Sequence, residues 1–204
     1  MDEKNLEFTS IRVGLLGDGI VGKTSICNTF TGIEFDPDTM TTVGTARFEK
    51  KIILSNNKEV KLILWDTAGQ ERFRSAGFRT IRSVQGIALV FDFTNKQSFK
   101  NIEVWLDEIR DNLDNPCIVL LGNKIDIEKK KWQVTQEEVN KFAQEKKFNF
   151  YPTSAKTGEG INEAFSYIAN LIYKKVEGKK TNNIVINNNN NNNNNKKVPK
   201  KNCC

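Results

Sequence analysis

Histidine is absent from this 204-residue chain. That removes every mechanism built on an imidazole, Ser-His and Cys-His pairs included, and leaves chemistry done by positioning and electrostatics. Cysteine is sparse. The four, at 27, 117, 203 and 204, have neither metal-ligand nor disulfide-framework spacing, which points to a reducing, cytosolic setting. No apolar run approaches the ~20 residues that span a bilayer. The polar start, Met1-Asp-Glu-Lys-Asn5, has no signal-peptide core. A basic folded surface is missing too. The formal net charge is +6, but residues 173–204 hold eight lysines and one glutamate, leaving 23 basic and 24 acidic residues before them. A nucleic-acid-binding domain would carry its basic patch on the fold, so nucleic acid is not an expected partner. The length fits one domain plus a tail.

What is present is organised around Gly17-Asp-Gly-Ile-Val-Gly-Lys-Thr24, which reads G-x-x-x-x-G-K-T. An apolar, β-prone run, Ile11–Leu16, precedes it, and Ser25–Phe30 can continue as a helix. Strand, glycine-rich turn and helix are the context in which this spacing binds phosphate. The glycines let the backbone curl so that several N–H groups converge on one phosphate. The helix N-terminus adds unpaired N–H groups and positive dipole character. Lys23 would reach the β- and γ-phosphates, and the Thr24 hydroxyl would ligate Mg²⁺.

Further along, Gly32–Thr42 lacks a clear period and reads as an exposed loop. Phe48–Leu54 and Val60–Trp65 flank Ser-Asn-Asn-Lys and predict a hairpin. Gly86–Asp92, Pro116–Leu121 and Phe148–Pro152 read as further strands. Thr94 with Gln97, and Thr135 with Glu138, are capping-box pairs that would open helices. Ile161–Val176 is an amphipathic last helix. Alternating strands and helices predict a mostly parallel six-stranded sheet covered on both faces. Ligands bind such sheets beyond the carboxyl ends of the strands. The polar motifs 17–24, 66–71, 122–126 and 153–156 all fall at such ends. From 177 the composition turns to Asn and Lys, with an unbroken asparagine run at 187–195. A tract so polar cannot offset its ordering entropy, so residues 177–204 are expected to form a disordered linker.

Four runs together resemble the Ras superfamily of small GTPases over about residues 8–176. They are the loop at 17–24, Trp65-Asp-Thr-Ala-Gly-Gln-Glu71, Asn123-Lys-Ile-Asp126 and Ser154-Ala-Lys156. Thr42-Val-Gly44, Trp65 to Arg74 and the terminal Cys203-Cys204 are similar to the Rab branch. The switch segments depart from that pattern at Thr45-Ala-Arg47, where one residue is inserted, and at Thr80-Ile-Arg-Ser83. The resemblance implies a P-loop NTPase fold, a G domain over residues 1–176, and a monomer. It implies a GTP-hydrolysing switch that recruits effectors in the GTP state and regulates membrane traffic.

The residue roles that follow are those the resemblance implies. Gly17, Asp18, Gly19, Ile20, Val21, Gly22, Lys23, Thr24 and Ser25, with Thr42 and Gly69, would contact phosphate. Gly19, beside the γ-phosphate, leaves room for hydrolysis. Thr24, Thr42 and Asp66 would hold Mg²⁺, a hard cation that takes oxygen ligands. Gln70 would position the attacking water. Asp126 would accept hydrogen bonds from the guanine N1–H and 2-amino group. Asn123 would brace its loop, Lys124 lie along the base, the Ala155 N–H, between Ser154 and Lys156, meet the guanine O6, and Phe35 stack on the base edge. Cys203 and Cys204 would carry two geranylgeranyl groups and hold the chain on the cytoplasmic face of a membrane, with a cytosolic pool. An exchange factor, a GTPase-activating protein, a GDP-dissociation inhibitor or escort protein and effectors are the partners implied.

Two readings of other classes stand beside this one. A P-loop ATPase or nucleotide kinase is opposed by Asn123-Lys-Ile-Asp126, and a GTP-locked, non-hydrolysing binding protein is motivated by the unusual switch segments.

Overall fold

The computed structural model describes residues 10–40, 42, 44–68, 79 and 81–192, with side chains as far as 178. β1 (Ser10–Leu16), β2 (Thr45–Ile53), β3 (Glu59–Thr67), β4 (Gly86–Asp92), β5 (Cys117–Asn123) and β6 (Asn149–Pro152) form one six-stranded sheet in the order β2-β3-β1-β4-β5-β6. Only β2 and β3 pair antiparallel; the other neighbours are parallel. The β2–β3 turn closes through Leu54 N–H on Lys58 O, with Asn57 in the left-handed region at φ 61. Asparagine tolerates that conformation through its short polar side chain.

Burial follows position in the sheet. All seven residues of β4 are buried, because helices cover both of its faces. β2, at the edge, alternates between partly buried and exposed residues, as a half-solvated strand must. One face carries Leu89, Phe91 and Phe93 against Ile102, Trp105 and Ile109 of α3 (Ile102–Asn112) and Val139 and Ala143 of α4 (Gln136–Lys146). On the other, Phe30 of α1 (Lys23–Thr31) meets Phe165 of α5 (Ile161–Asn192) with ring centroids 4.6 Å apart.

Two sequence expectations are corrected. The helix after β4 opens on Asn95, whose side chain accepts the N–H groups of Gln97 and Ser98 at the start of α2 (Lys96–Lys100). Thr94 does not cap it, because both its N–H and its hydroxyl go to Asp92 Oδ1. The Thr135–Glu138 capping box does form at α4. The last helix also runs past the expected end at Val176, to Asn192. Adding residues to a nucleated helix costs far less than starting one, and no proline interrupts the stretch. The chain divides into two compact units, Met1–Ile172 and Tyr173–Cys204. Within the second, Tyr173 Oη hydrogen-bonds Glu177 one turn on.

The fold positions the site through chain direction. β1, β3, β4, β5 and β6 run parallel, so Leu16, Thr67, Asp92, Asn123 and Pro152 all end at one edge. β1 lies between β3 and β4, and the chain departs to opposite sides of it. Such a switch point opens a crevice beyond the strand ends.

Candidate functional site

The loop after β1 is shaped by two glycines. Gly17 has φ 143, and a Cβ there would overlap Val90 O; Gly22 has φ 96, and a Cβ there would overlap Asn123 Nδ2. Lys23 follows at the start of α1 and is almost wholly buried. Its Nζ donates to Gly17 O at 2.9 Å and Asp18 O at 2.7 Å, so the lysine closes the loop on itself. Burial pulls its pKa down to about 8, against the pull of Asp66 and Asp18 in the other direction.

A cavity of about 310 Å³ lies over this loop and is lined by Gly19, Ile20, Gly22, Lys23, Thr24 and Ser25. Gly17, Asp18 and Val21 do not line it. The Asp18 carboxylate is turned to α3, where it accepts from Asn101 Nδ2 at 2.6 Å and Trp105 Nε1 at 2.9 Å. Val21 is buried, and its carbonyl accepts from Asn123 Nδ2 at 2.9 Å. A Cβ on Gly19 would meet no atom of the described residues within 4 Å.

Thr24, Thr42 and Asp66 converge from three segments. Thr24 Oγ1 donates to Asp66 Oδ2 at 2.6 Å, and the two threonine hydroxyls lie 2.7 Å apart. Thr42 Oγ1 reaches the same carboxylate oxygen at 3.1 Å. Asp66 Oδ1 is buried with no hydrogen-bond partner among the described residues. Burial raises the Asp66 pKa, with the Thr24 hydroxyl and Lys23 opposing. An orphaned carboxylate oxygen beside two hydroxyls is a donor set that fits a hard divalent cation. No cluster of three or more His, Cys, Asp or Glu occurs among the described residues. One carboxylate suits Mg²⁺, which is usually held by one or two carboxylates together with substrate phosphates.

The same cavity is lined by Phe35, Asn123, Lys124, Asp126, Ala155 and Lys156. Ser154 Oγ donates to Asp126 Oδ1 at 2.7 Å and accepts the Thr157 N–H, so it orients the carboxylate from outside the cavity. The Ala155 N–H, expected to meet the guanine O6, donates to Asn123 Oδ1 at 3.1 Å. That bond is of ordinary length, and a base oxygen could approach the same proton as a second acceptor. Gly69 and Gln70 lie outside the described residues, as do Cys203 and Cys204.

Sequence reasoning missed three groups that shape the site. Asp92 Oδ2 pairs with Lys124 Nζ at 2.6 Å and fixes a lysine whose backbone is left-handed at φ 70. Asn101 and Trp105 hold Asp18. Asp92 carried a readable signal, since like Asp66 it is an acid closing an apolar strand. For Asn101 and Trp105, more than 80 residues from Asp18, the sequence offers no such signal.

The Ras family model matches residues 12–174 of this chain. The chain belongs to the Ras family of small GTPases. Curated proteins with Rab names are among those it is similar to. It is 41% identical over 165 residues to a probable Ras-related protein Rab-4A of Echinococcus multilocularis, covering 80% of this chain and 73% of the relative. It is 37% identical over 174 residues to Ras-related protein Rab-5B of Plasmodium falciparum, covering 85% and 83%. Identity to Ras-related protein Rab-27A of Rattus norvegicus is 38% over 173 residues, covering 79% and 78%. The small-GTPase fold and the GTPase reaction expected from the sequence are thereby established.

For this Ras-family site the Lys23 pKa of about 8 sets a pH dependence. Phosphate charge beside the lysine favours its protonated form, so above pH 8 the free protein must take up a proton on binding. Between pH 7 and pH 9 the Kd for GDP should rise roughly tenfold. Calorimetry in buffers of different ionisation enthalpy should find close to one proton taken up at pH 9 and little at pH 7. A flat Kd without proton uptake would contradict it.

Proposed function

We propose that this chain cycles between GDP- and GTP-bound states, hydrolyses GTP, and engages effectors in the GTP state as a regulator of vesicle and membrane traffic. The observation that carries the reading is the single cavity joining Lys23, Thr24 and Thr42 to Asn123, Lys124 and Asp126. Lys23 and the backbone N–H groups of residues 19–25 hold the phosphates. The Asp126 carboxylate, oriented by Ser154, accepts the N1–H and 2-amino protons of guanine. Adenine offers no such donor pair and would leave the carboxylate unsatisfied. Phe35 and Lys124 flank the base. Thr24, Thr42 and Asp66 hold Mg²⁺, which when bound offsets phosphate charge.

Gln70 orients a water toward the γ-phosphorus, and the Gly69 N–H supports a γ-phosphate oxygen. Water attacks in line, the bond to the β-phosphate oxygen breaks, and GDP and phosphate are the products. No arginine is among the described residues lining the cavity. In GTPases of this superfamily an arginine finger supplied by a partner is worth about 10³–10⁵ in rate, so intrinsic turnover is slow and an activating protein sets it. Thr42 and Gly69 release their segments when the γ-phosphate leaves, and effectors read that change.

Kinship with Rab-named proteins supports the traffic role. Among the described residues no helix is long and apolar enough to cross a membrane. Attachment falls to Cys203 and Cys204 carrying two prenyl chains, since one chain binds marginally. Lys196, Lys197, Lys200 and Lys201 would add about 1 kcal/mol each near an anionic leaflet. Exchange factor, dissociation inhibitor or escort protein, and effectors complete the cycle, and residues 177–204 act as the tether.

Titration with fluorescent GDP and ADP tests the base reading. A preference for GDP on the order of 10⁴ or more is expected, and equal affinities would end the guanine assignment. In a single-turnover phosphate-release assay, Gln70→Leu should slow hydrolysis at least about tenfold, a barrier change of about 1.4 kcal/mol, without weakening GTP binding. Equal rates for variant and wild type would remove Gln70 from the mechanism. Expressed in cells with Cys203→Ser and Cys204→Ser, the protein should move from the membrane fraction to the soluble one. Retention on membranes would refute the lipid anchor.

A further inference from the structure

Ile20 sits in the middle of the phosphate loop with φ 66, in the left-handed region. The other non-glycine residues with positive φ are Asn57, Asn115, Lys124 and Lys147, so Ile20 is the β-branched one among those described. A branched Cβ in that region crowds the following carbonyl. Packing does not explain the conformation, because the Ile20 side chain is 83% exposed.

The loop's anchors do explain it. Upstream, Gly17 is pressed against Val90 O, and Asp18 is held by Asn101 and Trp105. Downstream, Val21 O is held by Asn123, and Gly22 has no room for a side chain against the same amide. Only Gly19 and Ile20 lie between these fixed points, and both line the cavity. A turn that aims the loop's N–H groups at a phosphate would therefore be made at those two residues. Without an anion, inward-pointing N–H groups have no acceptor and repel one another, so the empty loop gains by letting Ile20 relax.

We propose that Ile20 is a positioning residue that shortens nucleotide residence: binding must restore a conformation the side chain resists, and release relieves it. This rests on the guanine-nucleotide reading above. The competent fraction of the free loop is reduced, and apparent affinity falls with it. The strain acts on GDP and GTP alike, because it belongs to the loop and not to the γ-phosphate.

Release of fluorescent GDP from the full chain, followed after adding excess unlabelled GDP, tests this. Ile20→Gly removes the crowding, while glycine's freedom in the empty loop offsets part of the gain, leaving release roughly three- to tenfold slower. Ile20→Ala keeps a Cβ but loses the branch, so its release should fall between those of the wild type and Ile20→Gly. Ile20→Gly should also raise the melting temperature with GDP bound and not without it, a split that a general structural effect would not produce. Faster release from Ile20→Gly, or equal behaviour of the Gly and Ala variants, would show that the exposed side chain acts as a cover, together with the equally exposed Met40, and would overturn the proposal. Unaltered release would overturn it as well. If the wild type binds no guanine nucleotide, the functional reading fails first; if it binds and only the variants disagree, this inference fails alone.

Discussion

The buried side chain of Asn123 is the contact on which the site depends. Its Nδ2 donates to Val21 O and its Oδ1 accepts the Ala155 N–H, so one amide ties the end of β5 to the phosphate loop and to the loop after β6. The job needs a donor and an acceptor on one short planar group, which a side-chain amide supplies. Gly22 is part of the same device, because any Cβ there would take the place of the Asn123 amide nitrogen. The phosphate side and the base side are thereby held by a rigid link, and a ligand bridging them meets a distance already set. Asp126 and Lys124 extend the arrangement, each braced by a group outside the described cavity lining, Ser154 and Asp92 respectively. Preorganisation of this kind lowers the ordering cost of binding.

The second half of the site is built on the opposite plan. Thr42 is attached to Asp66 by a 3.1 Å hydrogen bond and to Thr24 by a 2.7 Å one, on a segment that forms no helix or strand at that point. Among the described residues, its side chain is held by these two hydrogen bonds. Its place depends on polar contacts that a cation and a phosphate would exchange for their own. A rigid link at one end and a polar placement of Thr42 at the other would suit the proposed switch, in which the nucleoside is held constantly while the loop's position reports the phosphate.

Much of this was legible in the sequence, and what was legible was local. Strand, turn and helix around Lys23 follow from apolar runs, glycines and a few residues of spacing. The six strands follow from β-prone runs, and the Thr135–Glu138 cap from a three-residue signature. What escaped depends on pairs far apart in the chain. Asp18 looks like a phosphate-loop residue by position, yet its carboxylate is claimed by Asn101 and Trp105. Thr94 has the right chemistry for a cap but is taken by Asp92, which leaves Asn95 to do it. The brace on the Ala155 N–H comes likewise from an amide in another motif, that of Asn123. The end of the last helix escaped for a different reason, since composition speaks to packing whereas helix elongation also depends on the turn before it.

The two buried charges show why the site is built to be filled. Lys23 and Asp66 are opposite in sign and both nearly inaccessible, and each perturbs the other's titration. A direct pair would offset the desolvation of both. Instead Lys23 donates to the carbonyls of Gly17 and Asp18, and Asp66 accepts from the hydroxyls of Thr24 and Thr42. Neutral dipoles hold each charge in place without neutralising it. An anion gains the full attraction of the lysine, and a cation that of the carboxylate, neither having to break an ion pair first. The lysine's lowered pKa and the carboxylate's raised one register the same incomplete compensation from opposite sides. A nucleotide with its metal ion would bring both compensating charges at once, one to each of these residues.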